Sequence, residues 1–220
     1  WLKYYSEEAI QAELPECTVL QYIKNKNTNN LNGIALNYFG NRITYREFFE
    51  NVDKVAKAFY AIGIRKGDIV TIASLHTPET IYIIYGLNKI GAVANMVYLT
   101  LSANEIIENI KSTDSKAFIY FAMIQEKGRI IEKEFPDIKT IILDVSDSMP
   151  WYLKYPYRLK NKKDILGKTY RFKNFLSLGE GVVAKEMLYT KSAPAVIVYT
   201  SGTTGVPKGV VLSNDNLNAV

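Results

Sequence analysis

The sequence has 220 residues, 48% hydrophobic and 22% charged, with 27 Lys and Arg against 22 Asp and Glu for a net charge of +5. That balance excludes a disordered polar chain, and a chain this long can bury about 70% of its unfolded surface without staples. A lone cysteine, Cys17, and a lone histidine, His76, exclude an intramolecular disulfide and a Cys/His zinc cluster, and so few thiols fit a reducing, cytoplasmic setting.

The chain opens on Trp1 with neither an initiator Met nor the pattern of a secretory signal, and both ends read as cut points within a longer protein. A polar run from Asn25 to Asn32 reads as a loop. Thr44 followed by Glu47 forms a capping box, after which Tyr45, Phe48, Phe49, Val52, Val55, Ala56, Phe59 and Tyr60 recur at helical spacing until Gly63. Ile69–Leu75 reads as a buried strand, and Thr77 with Pro78 opens a helix that is apolar on nearly every side and stops at Gly91. The window Ile81–Leu99 is interrupted by Asn88, Lys89, Gly91 and Asn95, so it reads as helix then strand and not as a membrane span.

Ala92–Leu99 is a strand candidate, and Ser102 with Glu105 caps a helix carrying Ile106, Ile107 and Ile110. Ala117–Phe121 and Thr140–Leu143 read as strands around an amphipathic helix over Ile124–Phe135. Alternating strands and helices imply an α/β fold of layered, largely parallel sheets flanked by helices on both faces. Residues 146–190 break the alternation with Pro150, Pro156 and the Gly179–Gly181 turn, and read as a connection or insertion. The pattern resumes at Ala195–Thr200. The expected organisation is therefore a first α/β unit over 1–145, a basic and aromatic insertion over 146–190, and the start of a second unit over 191–220.

Tyr199–Gly209, YTSGTTGVPKG, carries the chemistry. Phosphates are held by backbone N–H groups where glycines let the chain curl around them, with hydroxyls and a cation completing the cradle. Gly202, Gly205 and Gly209 give that freedom, Thr200, Ser201, Thr203 and Thr204 give hydroxyls, and Lys208 gives the charge. The phosphate-binding lysine loop G-x-x-x-x-G-K-[ST] is not met, because Pro207 stands at its second glycine and Gly209 at its Ser/Thr.

The eleven residues are similar to the signature loop of the adenylate-forming superfamily, which includes acyl-CoA synthetases, luciferases and the adenylation domains of peptide synthetases. The resemblance runs upstream through ITYREFFENVDKVAKAFYAIGIRKGDIV, LHTPET and LNKIGAVANMVYLTLSANEI in the family's order. It departs at His76, usually Asn, and at Asn214, usually His. The segment Val97–Leu101 lacks the Pro-Ile-Asp-Pro pattern of amino-acid-activating domains, which tilts the choice toward an acyl-CoA synthetase. The resemblance implies an ATP-dependent acid-thiol ligase that forms acyl-AMP and pyrophosphate, then acyl-CoA, with a fatty acid as the favoured substrate and ATP, Mg²⁺ and coenzyme A as the other participants. It implies phosphate contacts from Thr200, Ser201, Gly202, Thr203, Thr204, Gly205 and Lys208, with Lys208 the catalytic cation. No protein metal ligand is assigned. In the family, the groups that hold adenine and ribose, the acidic metal ligand and the acyl-phosphate lysine match positions beyond 220, so the 220 residues alone are expected to be inactive.

Rival readings rest on other features. From Lys154 to Lys173 eight Lys and Arg face one acid, interleaved with Trp151, Tyr152, Tyr155, Tyr157, Tyr170 and Phe172. Such a stretch could bind nucleic acid or make peripheral contact with an anionic membrane through 151–173. A solvated insertion with locally packed aromatics is favoured over both, nucleic acid is not expected as a partner, and a non-catalytic scaffold is the third alternative. Gly179, Gly181 and Ala184 fit G-x-G-x-x-A without the flanking strand and helix that a dinucleotide site needs. His76 reads as a polar loop residue, and Ser213 as a helix cap. A serine hydrolase lacks its G-x-S-x-G elbow.

Overall fold

The computed structural model describes residues 2–11, 13–160, 168–200 and 208–219. Two short helices, α1 (Glu7–Gln11) and α2 (Val19–Lys26), precede a two-stranded antiparallel ribbon of β1 (Ile34–Tyr38) and β2 (Asn41–Thr44). Phe39 and Gly40 turn that ribbon with φ of 51° and 83°, the paired left-handed geometry that suits the right-handed twist of a tight hairpin. Thr44 then caps α3 (Tyr45–Ala61), its side chain accepting from the Glu47 N–H while Glu47 accepts from the Thr44 N–H.

Next come β3 (Ile69–Ala73), α4 (Pro78–Ile90), β4 (Val93–Met96), α5 (Ala103–Thr113), β5 (Ala117–Phe121), α6 (Gln125–Glu134) and β6 (Lys139–Leu143). The chain continues through α7 (Trp151–Lys160), β7 (Tyr170–Arg171), α8 (Phe172–Ser177), β8 (Pro194–Thr200), β9 (Lys208–Ser213) and α9 (Asn214–Asn218). Among the described residues, seven strands form one sheet in the order β7-β6-β5-β3-β4-β8-β9, parallel except at β9. The α/β reading with a largely parallel sheet holds.

Strand periodicity explains the two-sided core. In β5, Ile119 and Phe121 face α3, α4 and α8, while Phe118 and Tyr120 face α5 and α6. Fully burying each such side chain stabilises the fold by about 1.5–3 kcal/mol. On the first face Gly86 of α4 lies so close to α3 that an added Cβ would stand 2.7 Å from Val55 Cγ1, so only glycine permits the approach. The chain passes from β4 back over β3 to reach β5, reversing the direction of winding beside the central strand.

Residues 146–190 contain α7, β7 and α8, and β7 pairs parallel with β6, so part of the stretch belongs to the sheet. Phe175 is buried and meets Phe59 edge-on with centroids 4.9 Å apart. A two-residue strand and a six-residue helix are too short to show a period. β8 pairs parallel with β4 in this same sheet. The Ala92–Leu99 candidate contracts to Val93–Met96, and the Val97 N–H makes a last bond to the Ile72 carbonyl of β3 at 2.9 Å before the chain turns away.

Candidate functional site

All strands from β3 to β6 run in one direction, and β8 runs with them, so Thr200 ends β8 at the carboxyl edge of the sheet, where open α/β folds place their ligands. Lys208 begins β9 directly opposite Thr200 in the antiparallel pairing, and both side chains are exposed. The strand β9 runs from Lys208 to Ser213, and the helix expected after the glycine-rich loop follows it as α9, capped by Ser213. Ser201, Gly202, Thr203, Thr204 and Gly205 lie outside the described residues.

Neighbouring elements fix the two strand ends. The Tyr98 hydroxyl donates to the Tyr199 carbonyl at 3.0 Å, tying the segment after β4 to β8. Lys127 of α6 donates to the carbonyls of Leu99 and Leu101 at 2.9 and 2.6 Å, holding that segment from the other side. Tyr98 and Lys127 escape sequence reasoning, since their partners are main-chain atoms with no residue-type signature. Gly209 is closed in by the Tyr199 ring at 3.2 Å and Ile197 at 3.3 Å from where a Cβ would lie.

Behind the strands, Ser213 caps α9, accepting from the Asn216 N–H at 3.2 Å. Asn214, one of the two departures, is buried: its Oδ1 accepts from Asn88 Nδ2 at 2.8 Å and from the Val19 N–H at 3.0 Å. Asn88 Oδ1 in turn accepts from the Leu20 N–H at 3.3 Å. This amide pair ties α2, α4 and α9 together, so Asn214 serves here as an internal brace. His76, the other departure, is exposed in the loop between β3 and α4.

A second polar group sits farther along the same edge. Glu79 in the first turn of α4 is 2% exposed and accepts from the Ser148 hydroxyl. Burial pushes its carboxyl above the usual range, and burial does the same to Asp147. Burial and then the Glu79 charge push the Tyr38 hydroxyl up to about 12. Arg158 reaches Ser146 at 3.0 Å and Asp147 at 3.2 Å, Lys154 donates to the Asp147 carbonyl at 2.9 Å, and Asn41 donates to the Ser148 carbonyl at 2.9 Å. These contacts moor α7 to the body of the fold. Among the described residues no three His, Cys, Asp or Glu side chains converge as metal ligands.

Residues 23–220 match the family model described as AMP-binding enzyme. A mouse long-chain-fatty-acid–CoA ligase is 31% identical over 184 residues, which is 80% of this chain and 23% of that protein. Acetyl-coenzyme A synthetase 1 of Saccharomyces cerevisiae is 27% identical over 181 residues, 78% of this chain and 24% of its own length. The chain thus spans about a quarter of the length of these curated relatives. Among solved structures, the inhibitor-bound N-terminal domain of FACL13 from Mycobacterium tuberculosis matches with a TM-score of 0.66 at 22% identity, covering 90% of this chain and 44% of that one. That likeness concerns the fold alone.

Proposed function

The chain belongs to the AMP-binding enzyme family, and from that premise we propose that it forms part of an ATP-dependent, AMP-forming acid–CoA ligase. The observation that carries this reading is Tyr199–Gly209, anchored at the carboxyl edge of the sheet by Thr200 at the end of β8 and Lys208 at the start of β9. In the first step a carboxylate oxygen attacks the α-phosphorus of ATP, and the bond to the pyrophosphate oxygen breaks, giving acyl-AMP. In the second, the thiol of coenzyme A attacks the acyl carbon and AMP departs.

Lys208 supplies a fixed positive charge to the departing pyrophosphate, and Thr200 supplies a hydroxyl donor. Groups positioned before the charge develops need no reorganisation as it grows, which is why such donors lower the barrier. Mg²⁺, when bound with ATP, neutralises phosphate charge. Tyr98 and Lys127 act through position, holding the segment after β4 against β8. A fatty acid is the substrate proposed first within this class, with long-chain ligases among the relatives and acetyl- and 3-hydroxypropionyl-coenzyme A synthetases matching at similar identity. A cytoplasmic location is proposed with it, on the strength of the single free thiol of Cys17.

Lys208→Ala in the intact enzyme should slow ATP–pyrophosphate exchange by about a hundredfold or more, the scale for one lost pre-positioned charge stabiliser. Exchange at the unaltered rate would overturn the assignment. A panel of acids of increasing chain length, read by pyrophosphate release, tests the fatty-acid proposal, which fails if acetate turns over faster than the long acids.

A further inference from the structure

Among the described residues, helix α7 stands out as a long element whose apolar residues face away from the fold. None of its ten residues is buried, and Trp151 is 81% exposed, Tyr155 69%, Leu159 58% and Tyr152 53%. At about 100° per residue, Trp151, Tyr155, Leu159 and Tyr152 fall within one arc of roughly 100°. Tyr157, one of the two half-buried residues, lies on the opposite side, while Lys154 and Arg158 border the arc beside Trp151, where Lys154 donates to Asp147 and Arg158 contacts Ser146 and Asp147. The polar side of α7 is therefore the one moored to the protein, and the apolar side is presented outward. Phe39, 56% exposed at the β1–β2 turn, extends the patch, because the Tyr152 hydroxyl lies 3.7 Å from where a Cβ on the adjoining Gly40 would stand.

We propose that this face of α7 docks on an anionic lipid bilayer, lying in its interfacial plane. Trp and Tyr rings favour the headgroup level, and an aliphatic residue such as Leu159 favours the acyl boundary just beneath it. Lys154, Arg158 and Lys160 carry the only formal charges on the helix, all positive; Lys154 and Arg158 border the arc while also reaching Asp147, and with Lys160 they give the rim of the apolar face a sign that complements acidic headgroups. A nucleic acid would be met by basic side chains on the outward face, whereas here rings and Leu159 occupy that face and the cations stand at its borders. Among the described residues no helix is long and apolar enough to cross a membrane, so the contact is one of surface seating. Docking through α7 does not depend on the acid–CoA ligase reading, since it invokes neither ATP nor Lys208.

The test is co-sedimentation of the intact protein with vesicles of neutral phosphatidylcholine alone or with about 30% phosphatidylserine, at low and high salt. Binding should require the anionic lipid, weaken at high salt, and shift the Trp151 fluorescence to the blue. The triple variant Trp151→Ala, Tyr155→Ala, Leu159→Ala should lose roughly tenfold or more of the vesicle affinity while its thermal unfolding stays that of the parent. The proposal is overturned if the parent ignores anionic vesicles, if the triple variant binds them equally, or if the parent binds a DNA or RNA oligonucleotide in preference to them. Trp151→Phe, which keeps a ring at the interface, should retain most of the binding, and a loss as large as that of the triple variant would also count against it.

Discussion

Helices α4 and α7 are both rich in aromatic and aliphatic side chains, yet nine of the thirteen residues of α4 are buried and none of the ten in α7 is. The difference lies in what each face meets. α4 is pressed between α3 and the sheet, with Gly86 removing the side chain that would hold α3 away. α7 is held by hydroxyls, main-chain carbonyls and Asp147, none of which can cover a ring. Apolar content thus marks a helix for burial only where the chain supplies a second apolar surface, and a helix moored by its polar side is left with its rings in water.

Substitutions in α4 should carry the largest costs. Leu87→Ala removes a fully buried side chain from the face shared with α3 and should lower the unfolding free energy by about 2–5 kcal/mol in urea titration. Asn88→Ala should follow at about 1–3 kcal/mol, because it strips the Leu20 N–H and the Asn214 carbonyl oxygen of a buried partner. If the Asn88 variant unfolded at the parent's midpoint, α2 and α9 would not be braced through α4, and the contrast with α7 would narrow.

Glu79 sharpens the comparison where the two helices touch, since Ser148, just before α7, donates to its carboxylate. Burial raises its folded pKa above the ordinary 4.5. Between the unfolded and folded values the native state holds a proton that the unfolded chain has released, so stability falls as the pH rises through that window. Its favourable contribution is complete below about 4.5 and gone above the raised folded value. Glu79→Gln keeps an oxygen for Ser148 without a charge to bury, so the variant should gain on the parent as pH rises from about 4.5. Parallel unfolding curves across that range would show that the carboxyl is solvated in the native protein.

Much of the parallel body was legible because its signals are local and long. Capping boxes at Thr44 and Ser102, the Pro78 start and the Gly91 stop each satisfy helix-end groups with nearby side chains, or fit the backbone angle the end requires. Gly91 adopts the left-handed geometry at φ 75°, which its type announces. The sheet order was not legible, because pairing β8 with β4 joins strands about a hundred residues apart that no periodicity relates. Lys208 and Thr200 were recognisable from residue type, whereas the strand that Lys208 begins was not legible, because the six residues from Lys208 to the Ser213 cap are too few to show a period. The brace of Asn88 with Asn214 was hidden too, since a buried amide pair has no spacing in the sequence.

The smallest expected effect separates the two helices most sharply. Trp151→Ala deletes more apolar surface than Leu87→Ala, and a core tryptophan lost this way would cost about 3–5 kcal/mol. With Trp151 81% exposed, water already covers the ring in the folded chain, and the substitution should shift the unfolding free energy by no more than about 0.5 kcal/mol. The ring contact with Tyr152, edge-on with centroids 6.0 Å apart, is itself solvent-exposed and adds little. A cost above about 2 kcal/mol, measured in the same urea titration as Leu87→Ala, would mean that Trp151 packs against protein in solution, and the outward face of α7 would then belong to the fold and not to a surface outside it.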